Sequence, residues 1–175
     1  MKKILYIIFA LTLIGCNPTN HTNPPSTPSA QPDSVYVTAD FRKHGNYYGT
    51  GHQIFAIDLL SNGLTYDSTY HISGTGYNLF LSDVFIKNDS LVAGHYEMDS
   101  VVRDTSFLRG MDFEGNITGT YLLQIQDDKV LHITLFTAGI MEVSYHENEI
   151  RLDFTLYTID STRYHATYQG SAIYR

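Results

Sequence analysis

Tryptophan is absent from this chain, and cysteine occurs once, at Cys16. A single thiol excludes an intramolecular disulfide, a Cys-based zinc site and a Cys-X-X-Cys redox pair, so any folded domain must be held by its core. Proline is missing from most of the chain, since all five lie between Pro18 and Pro32. Positive charge is also scarce. Eleven Lys and Arg face eighteen Asp and Glu, for a net charge of −7. A surface of that sign argues against nucleic acid and an anionic membrane face as partners. Catalytic signatures are missing as well: there is no Gly-x-Ser-x-Gly elbow, no His pair at zinc spacing and no EF-hand loop. The chain is therefore read as a non-enzyme with no cofactor.

What is present begins with an export signal. Met1-Lys2-Lys3 supplies a positive start, and Ile4 to Ile14 forms an apolar run too short for a permanent transmembrane helix. It leads into Leu13-Ile14-Gly15-Cys16, which has the pattern of a lipobox: a branched residue three before the cysteine and a small one just before it. The expectation is that residues 1–15 are removed and that Cys16 carries a diacylglyceryl thioether and an N-acyl chain. Two or more acyl chains hold a protein stably on a membrane, each buried methylene contributing about 0.8 kcal/mol. Asn17 rather than Asp follows the cysteine, which favours the outer membrane over inner-membrane retention. No acid precedes Asp33, so the sequence carries no surface-export cluster.

Residues 16–33 are rich in Asn, Thr, Ser and Pro and bury little apolar surface, so they read as a disordered tether. Residues 34–175 are the right size for one domain. Loss of Lys2 and Lys3 takes the mature chain to a net charge of −9.

Period-two alternation dominates that domain. Ile150, Leu152, Phe154 and Leu156 alternate with Arg151, Asp153, Thr155 and Tyr157, and similar patterns run through Leu131 to Leu135, Met141 to Tyr145 and Tyr164 to Tyr168. Turn clusters at 61–63, 87–90, 126–129, 146–148 and 160–161 leave room for hairpins and none for crossover helices. Strands are predicted over 34–40, 47–60, 66–73, 77–86, a short segment near His95, 118–126, 129–137, 140–146, 149–159 and 162–173. Such a meander closes most simply into an antiparallel up-and-down barrel of about eight strands, a β-sandwich being the alternative.

Three segments carry a resemblance. Gly49-Thr50-Gly51 before an early strand, Leu91-Val92-Ala93-Gly94-His95-Tyr96 at mid-chain and Gly115-Asn116-Ile117-Thr118-Gly119-Thr120-Tyr121 opening the second half resemble the calycin-like β-barrel lipoproteins of gut bacteria. In that family the middle segment usually reads Leu-Pro-Ala-Gly-Thr-Tyr, from which Val92 and His95 depart. The resemblance covers roughly Phe41 to Tyr174. It implies a calycin-type (lipocalin-like) barrel on a lipidated tether, with no common activity. Calycins often hold a small apolar ligand in the barrel mouth.

Candidate site residues follow. Residues 99–116 form the longest stretch without strand periodicity, and long loops are often functional. Phe107, Leu108, Met111 and Phe113 within it are expected to fold over a barrel mouth and to contact a ligand. Asp104, Asp112, Glu114 and Asn116 lack EF-hand spacing and read as solvated loop acids. His132, His146 and His165 lie on neighbouring predicted strands but lack metal-site spacing. Asp-Ser-x triplets at Asp33, Asp67, Asp89, Asp99 and Asp160 are similar to an O-glycosylation acceptor of gut anaerobes, with Ser34 the first candidate; Asp and Ser also favour turns. The leading expectation is an envelope lipoprotein whose barrel binds a small apolar or glycan ligand. The rival is a structural or protein-interaction module with a filled barrel.

Overall fold

The computed structural model describes residues 34–69, 71–172 and 174–175. The expected signal, the lipid-bearing Cys16 and the tether lie outside the described residues. Among the described residues every regular element is a strand: β1 (Ser34–Gly45), β2 (Gln53–Ser61), β3 (Leu64–Tyr66), β4 (Ile72–Gly74), β5 (Gly76–Ile86), β6 (Gly94–Asp99), β7 (Ser106–Leu108), β8 (Met111–Phe113), β9 (Asn116–Thr118), β10 (Thr120–Gln126), β11 (Lys129–Leu135), β12 (Ala138–His146), β13 (Glu149–Tyr157) and β14 (Arg163–Gly170). Eight of them close a barrel in the order β5, β2, β1, β14, β13, β12, β6, β7 and back to β5. β10 and β11 prolong the sheet from β5, and the hairpins β3–β4 and β8–β9 form two small sheets of their own.

Local sequence explains most of these elements. Ile150, Leu152, Phe154 and Leu156 on β13 are fully enclosed while Arg151 between them is exposed, as the alternation predicts. Asp127 and Asp128 have φ of 50° and 64°, the pair of left-handed residues that a two-residue hairpin needs between β10 and β11. Glu147 and Ser161, at φ 55° and 65°, turn the chain between later strands.

The expected antiparallel up-and-down order is corrected at two seams. β1 runs parallel to β14, with Ser34 opposite Ala166 and Tyr36 opposite Tyr168, and the seam continues as Phe41 bridges Tyr174 in parallel. β6 runs parallel to β7, with Glu97 opposite Ser106 and Asp99 opposite Leu108. Parallel neighbours normally need a long crossover. Here residues 100–105 suffice because β7 pairs only with the second half of β6, so the chain has to retreat about 7 Å. Asp99 holds that reversal by accepting the N–H groups of Ser100 and Val101 and by pairing with Arg103 at 2.5 Å.

The irregular stretch proves structured: β7 and β8 lie in it and β9 begins at its last residue. The strand expected over 66–73 is instead the β3–β4 hairpin, because Asp67 accepts the N–H groups of Thr69 and His71 and bends the chain. The first residues of the strand expected over 47–60 form a loop, where Gly49 and Gly51 adopt φ of 66° and 80°.

β5 is the pivot of the barrel. One of its edges runs along β2, whereas the other is shared, Gly76 to Leu81 pairing with β10 and Val84 and Phe85 with β7. At the division Gly119 donates its N–H to Ser82 Oγ at 2.8 Å and has φ of 77°, and a Cβ there would collide with the Arg109 carbonyl oxygen.

The lumen is solid. Phe41, Phe55, Tyr96, Phe107, Phe154 and Leu81 meet in one core, and the void beside Tyr36, Phe136 and Tyr164 measures about 10 Å³, no more than one water needs.

Candidate functional site

With the lumen filled, the chemistry lies on the outer wall of β1, β2, β5 and β10. A register shift between Tyr36 and Thr38 sets β1 so that Ala39 and Phe41 face the core while Asp40 and Arg42 face outward. Asp58 on β2 stands directly opposite Asp40, Phe80 on β5 opposite Asp58, and Tyr121 on β10 opposite Phe80. One row across four strands therefore reads acid, acid, aromatic, aromatic.

The β3–β4 hairpin folds back over part of this wall. Leu64 packs on Leu60 and Ile125, with Tyr66, Ile72 and Leu123 around them, making a second small core outside the barrel. Gly63 and Gly74 close the hairpin base at φ of 94° and 111°, and a Cβ on Gly74 would drive into the Gly63 carbonyl. The cover leaves Asp40 5% and Asp58 6% exposed, an arrangement that costs free energy unless the charges are paired.

Two arginines supply the pairing. Arg42 reaches Asp40 Oδ2 with Nε at 3.4 Å and Asp58 Oδ2 with Nη2 at 3.3 Å. Arg175 brings its Nε to 3.2 Å from Asp40 Oδ1. Arg175 is positioned by the parallel seam, its N–H donating to the Phe41 carbonyl and its carbonyl accepting from the Lys43 N–H. Asn78 donates its amide to Asp58 Oδ1 and to the Leu59 carbonyl. Arg42 also lies 5.4 Å from the centre of the Phe80 ring, and Phe80 and Tyr121 meet at 5.2 Å.

Burial holds the Asp58 carboxyl above its ordinary 3.8, against the opposing pull of Asn78, Tyr66 and Arg42. Burial, then the Asp58 charge, pushes the Tyr66 hydroxyl up as well. Tyr121 is raised by burial first and by Asp58 second.

Between these groups is a cleft of about 360 Å³ lined by Asp40, Arg42, Asp58, Tyr66 and Arg175. Among the described residues, three buried side-chain polar atoms have no hydrogen bond: Asp40 Oδ1, Arg42 Nε and Tyr66 Oη. All three belong to this one cleft. Asp40 Oδ1 and Arg42 Nε are held in ion pairs, and the Tyr66 hydroxyl lies against Asp58, whose carboxylate it stabilises. Buried polar groups are nearly always bonded, so unmet hydrogen-bonding capacity concentrated on the residues of one cleft is unusual. An acceptor, a donor and a phenol that is both are set side by side. The carboxylates are already balanced by two guanidinium groups, which disfavours a cation there.

The residues singled out from sequence lie elsewhere. Phe107 is fully enclosed on β7, opposite Val84 and Met98, so it is part of the core and not of a mouth loop. Leu108 follows it, half-buried, and Met111 and Phe113 lie on the β8–β9 hairpin, where Phe113 is 60% exposed. The structure does not bring these four together around a cavity. Ser34 is the first residue of β1, half-buried in the β14 seam. Asp104 accepts the Lys87 N–H, tying two distant loops together, and Asp112 accepts the Gly115 N–H within its own turn. His132, His146 and His165 sit on β11, β12 and β14, and among the described residues no three His, Cys, Asp or Glu are placed to hold a metal ion.

Asp40, Arg42, Asp58, Tyr66 and Arg175 were not legible as a group. One trace was visible: Asp58 is the only charge in the apolar run Ile54-Phe55-Ala56-Ile57-Asp58-Leu59-Leu60. A comparison with known proteins finds no family model, no curated protein and no solved structure that matches this chain.

Proposed function

We propose that this chain is a lipid-anchored, non-enzymatic envelope protein that binds a neutral glycan in the outer-wall cleft. The observation that carries the reading is the cleft of about 360 Å³ in which the polar side chains of Asp40, Arg42, Asp58, Tyr66 and Arg175 meet. A sugar offers adjacent hydroxyls that donate and accept in turn, which suits this set better than a purely apolar ligand. The neighbouring Phe80 and Tyr121 rings add an apolar surface of the kind that sugar C–H faces stack on. Because the lumen of the eight-stave barrel is filled, this reading sets the ligand on the wall and not in the mouth.

The test is a printed array of neutral mono- to hexasaccharides probed with the full chain in detergent. Binding that is lost in Asp40→Asn and Tyr66→Phe supports the reading. Failure of every printed glycan to bind overturns it. Anchoring at Cys16 is tested separately, by metabolic labelling with an alkyne fatty acid: label on the wild type and none on Cys16→Ser is the expected result.

A second reading, a protein-interaction module, is favoured by β11. It is the open edge of the sheet and exposes Val130, Leu131 and Ile133, the kind of edge that invites strand pairing. Cross-linking from β11 to another envelope protein in intact cells distinguishes the two.

A further inference from the structure

We infer that the polar cleft is one half of a longer groove, the other half being a tyrosine-lined cleft under the β1–β2 loop, so that the ligand is an oligosaccharide rather than a single sugar. This rests on the glycan reading above. The loop reads Asn46-Tyr47-Tyr48-Gly49-Thr50-Gly51-His52, and it holds two aromatic rings in solvent, with Tyr47 78% and Tyr48 50% exposed. They are positioned rather than trailing. Asn46 accepts the Gly51 N–H at 3.1 Å through its side chain and the Gly49 N–H at 3.2 Å through its carbonyl. The Tyr48 hydroxyl donates to Asp83 Oδ1 at 3.2 Å, its ring leans on Phe85, and the two tyrosine rings meet edge to face at 5.2 Å. A cleft of about 200 Å³ lies beneath, lined by His44, Tyr47, Tyr48, Ile54, Ser82 and Asp83.

The strand register sets the two clefts along one line of the wall. Asp40 and Arg42 alternate outward along β1, and His44 follows at the register shift before Gly45, where it lines the tyrosine cleft. Asp40 to His44 spans about 13 Å. On β2, Ala56 stands opposite Arg42 on one side. On its other side the β2–β5 pairing skips from Val84 to Leu81, so Ala56 faces Ser82 and Asp83. Ala56, buried and the smallest side chain in the row, is thus the residue that lies between the two clefts. One end offers hydrogen bonds and the other offers aromatic faces flanked by a carboxylate, the two contacts that a pyranose chain makes through its hydroxyls and its C–H faces. The length suits about two or three sugar units.

The test uses malto-, cello- and chito-oligosaccharides of one to four units, titrated calorimetrically into the full chain in detergent. In the series that binds, affinity is expected to rise about tenfold from one unit to three, the worth of one aromatic contact. The double variant Tyr47→Ala with Tyr48→Ala is expected to reduce that ratio to near one, with an unchanged circular dichroism spectrum showing that the barrel is intact. If the ratio is the same in the double variant, or if affinity does not rise with length while Asp40→Asn abolishes binding, the extended groove is overturned and the polar-cleft reading stands. If no unit of any series binds, both fall.

Discussion

The two faces of β1 and β2 are built on opposite terms. Inside, Ala39, Phe41, Phe55, Ile57 and Leu59 fill the lumen with apolar side chains and leave no usable space. Outside, between those same residues, Asp40, Arg42, Ala56, Asp58 and Leu60 alternate and are partly covered by the β3–β4 hairpin. β2 is buried on both faces from Ile54 to Leu60, unusual for an antiparallel strand. The inner face is closed by packing that is complete. The outer face is closed by a charged cluster that is not, and the incompleteness is what gives it chemistry. With the lumen full and a hairpin folded over the outside, the polar cleft of this barrel lies in its wall and not in its mouth.

The contrast is broken most severely from within. Phe107→Ala removes a fully enclosed ring and should lower stability by about 3–5 kcal/mol in urea denaturation; a loss under about 1 kcal/mol would mean that the lumen has slack. Gly74→Ala acts on the cover instead. Strain against the Gly63 carbonyl should cost about 1–3 kcal/mol and loosen the hairpin, so glycan binding falls while the barrel still melts cooperatively. Arg42→Ala strips Asp40 and Asp58 of a shared partner and Phe80 of its cation. Because 41% of the arginine side chain is exposed, the cost should be only about 1–2 kcal/mol.

A pH series separates the covered acid from the surface ones. Asp58 has a raised pKa, so the folded state takes its proton before the unfolded state does. This group therefore adds stability as pH falls toward 3.8, and Asp58→Asn should remove that gain. Asp67, Asp99 and Asp160 are lowered, chiefly by the Thr69 hydroxyl, the Ser100 N–H and the Thr158 hydroxyl respectively. Their contribution is complete above 3.8 and lost as pH falls through their lowered values. Urea midpoints measured across both windows in wild type and Asp58→Asn check the signs. The smallest effect belongs to Phe113→Ser, on the exposed β8–β9 hairpin, which should change stability by less than about 0.5 kcal/mol and leave array binding unaltered. A lost glycan signal there would return the site to the hairpin.

Much of the strand framework was legible because half-buried strands write their burial into alternate residues, as Ile150 to Leu156 do, and because tight turns require residues such as Asp127 and Asp128. The reading failed where pairing partners are distant. β7 and β9 have three residues each, too few to show a period, so Phe107 looked like a loop aromatic although Val84 and Met98 enclose it. The β3–β4 hairpin read as one strand because Asp67 and its bonds to Thr69 and His71 look, in sequence, like any polar interruption.

By itself, the sequence determined an all-β domain without disulfides, its alternating faces and most of its turns, since these depend on side-chain type and local backbone preference. Only the tertiary structure decided that the barrel closes through two parallel seams, that its lumen is full, and that Asp40, Asp58, Tyr66 and Arg175 share a cleft. Closure depends on which strands meet, and contacts between residues so far apart in the chain leave no periodic mark in the sequence.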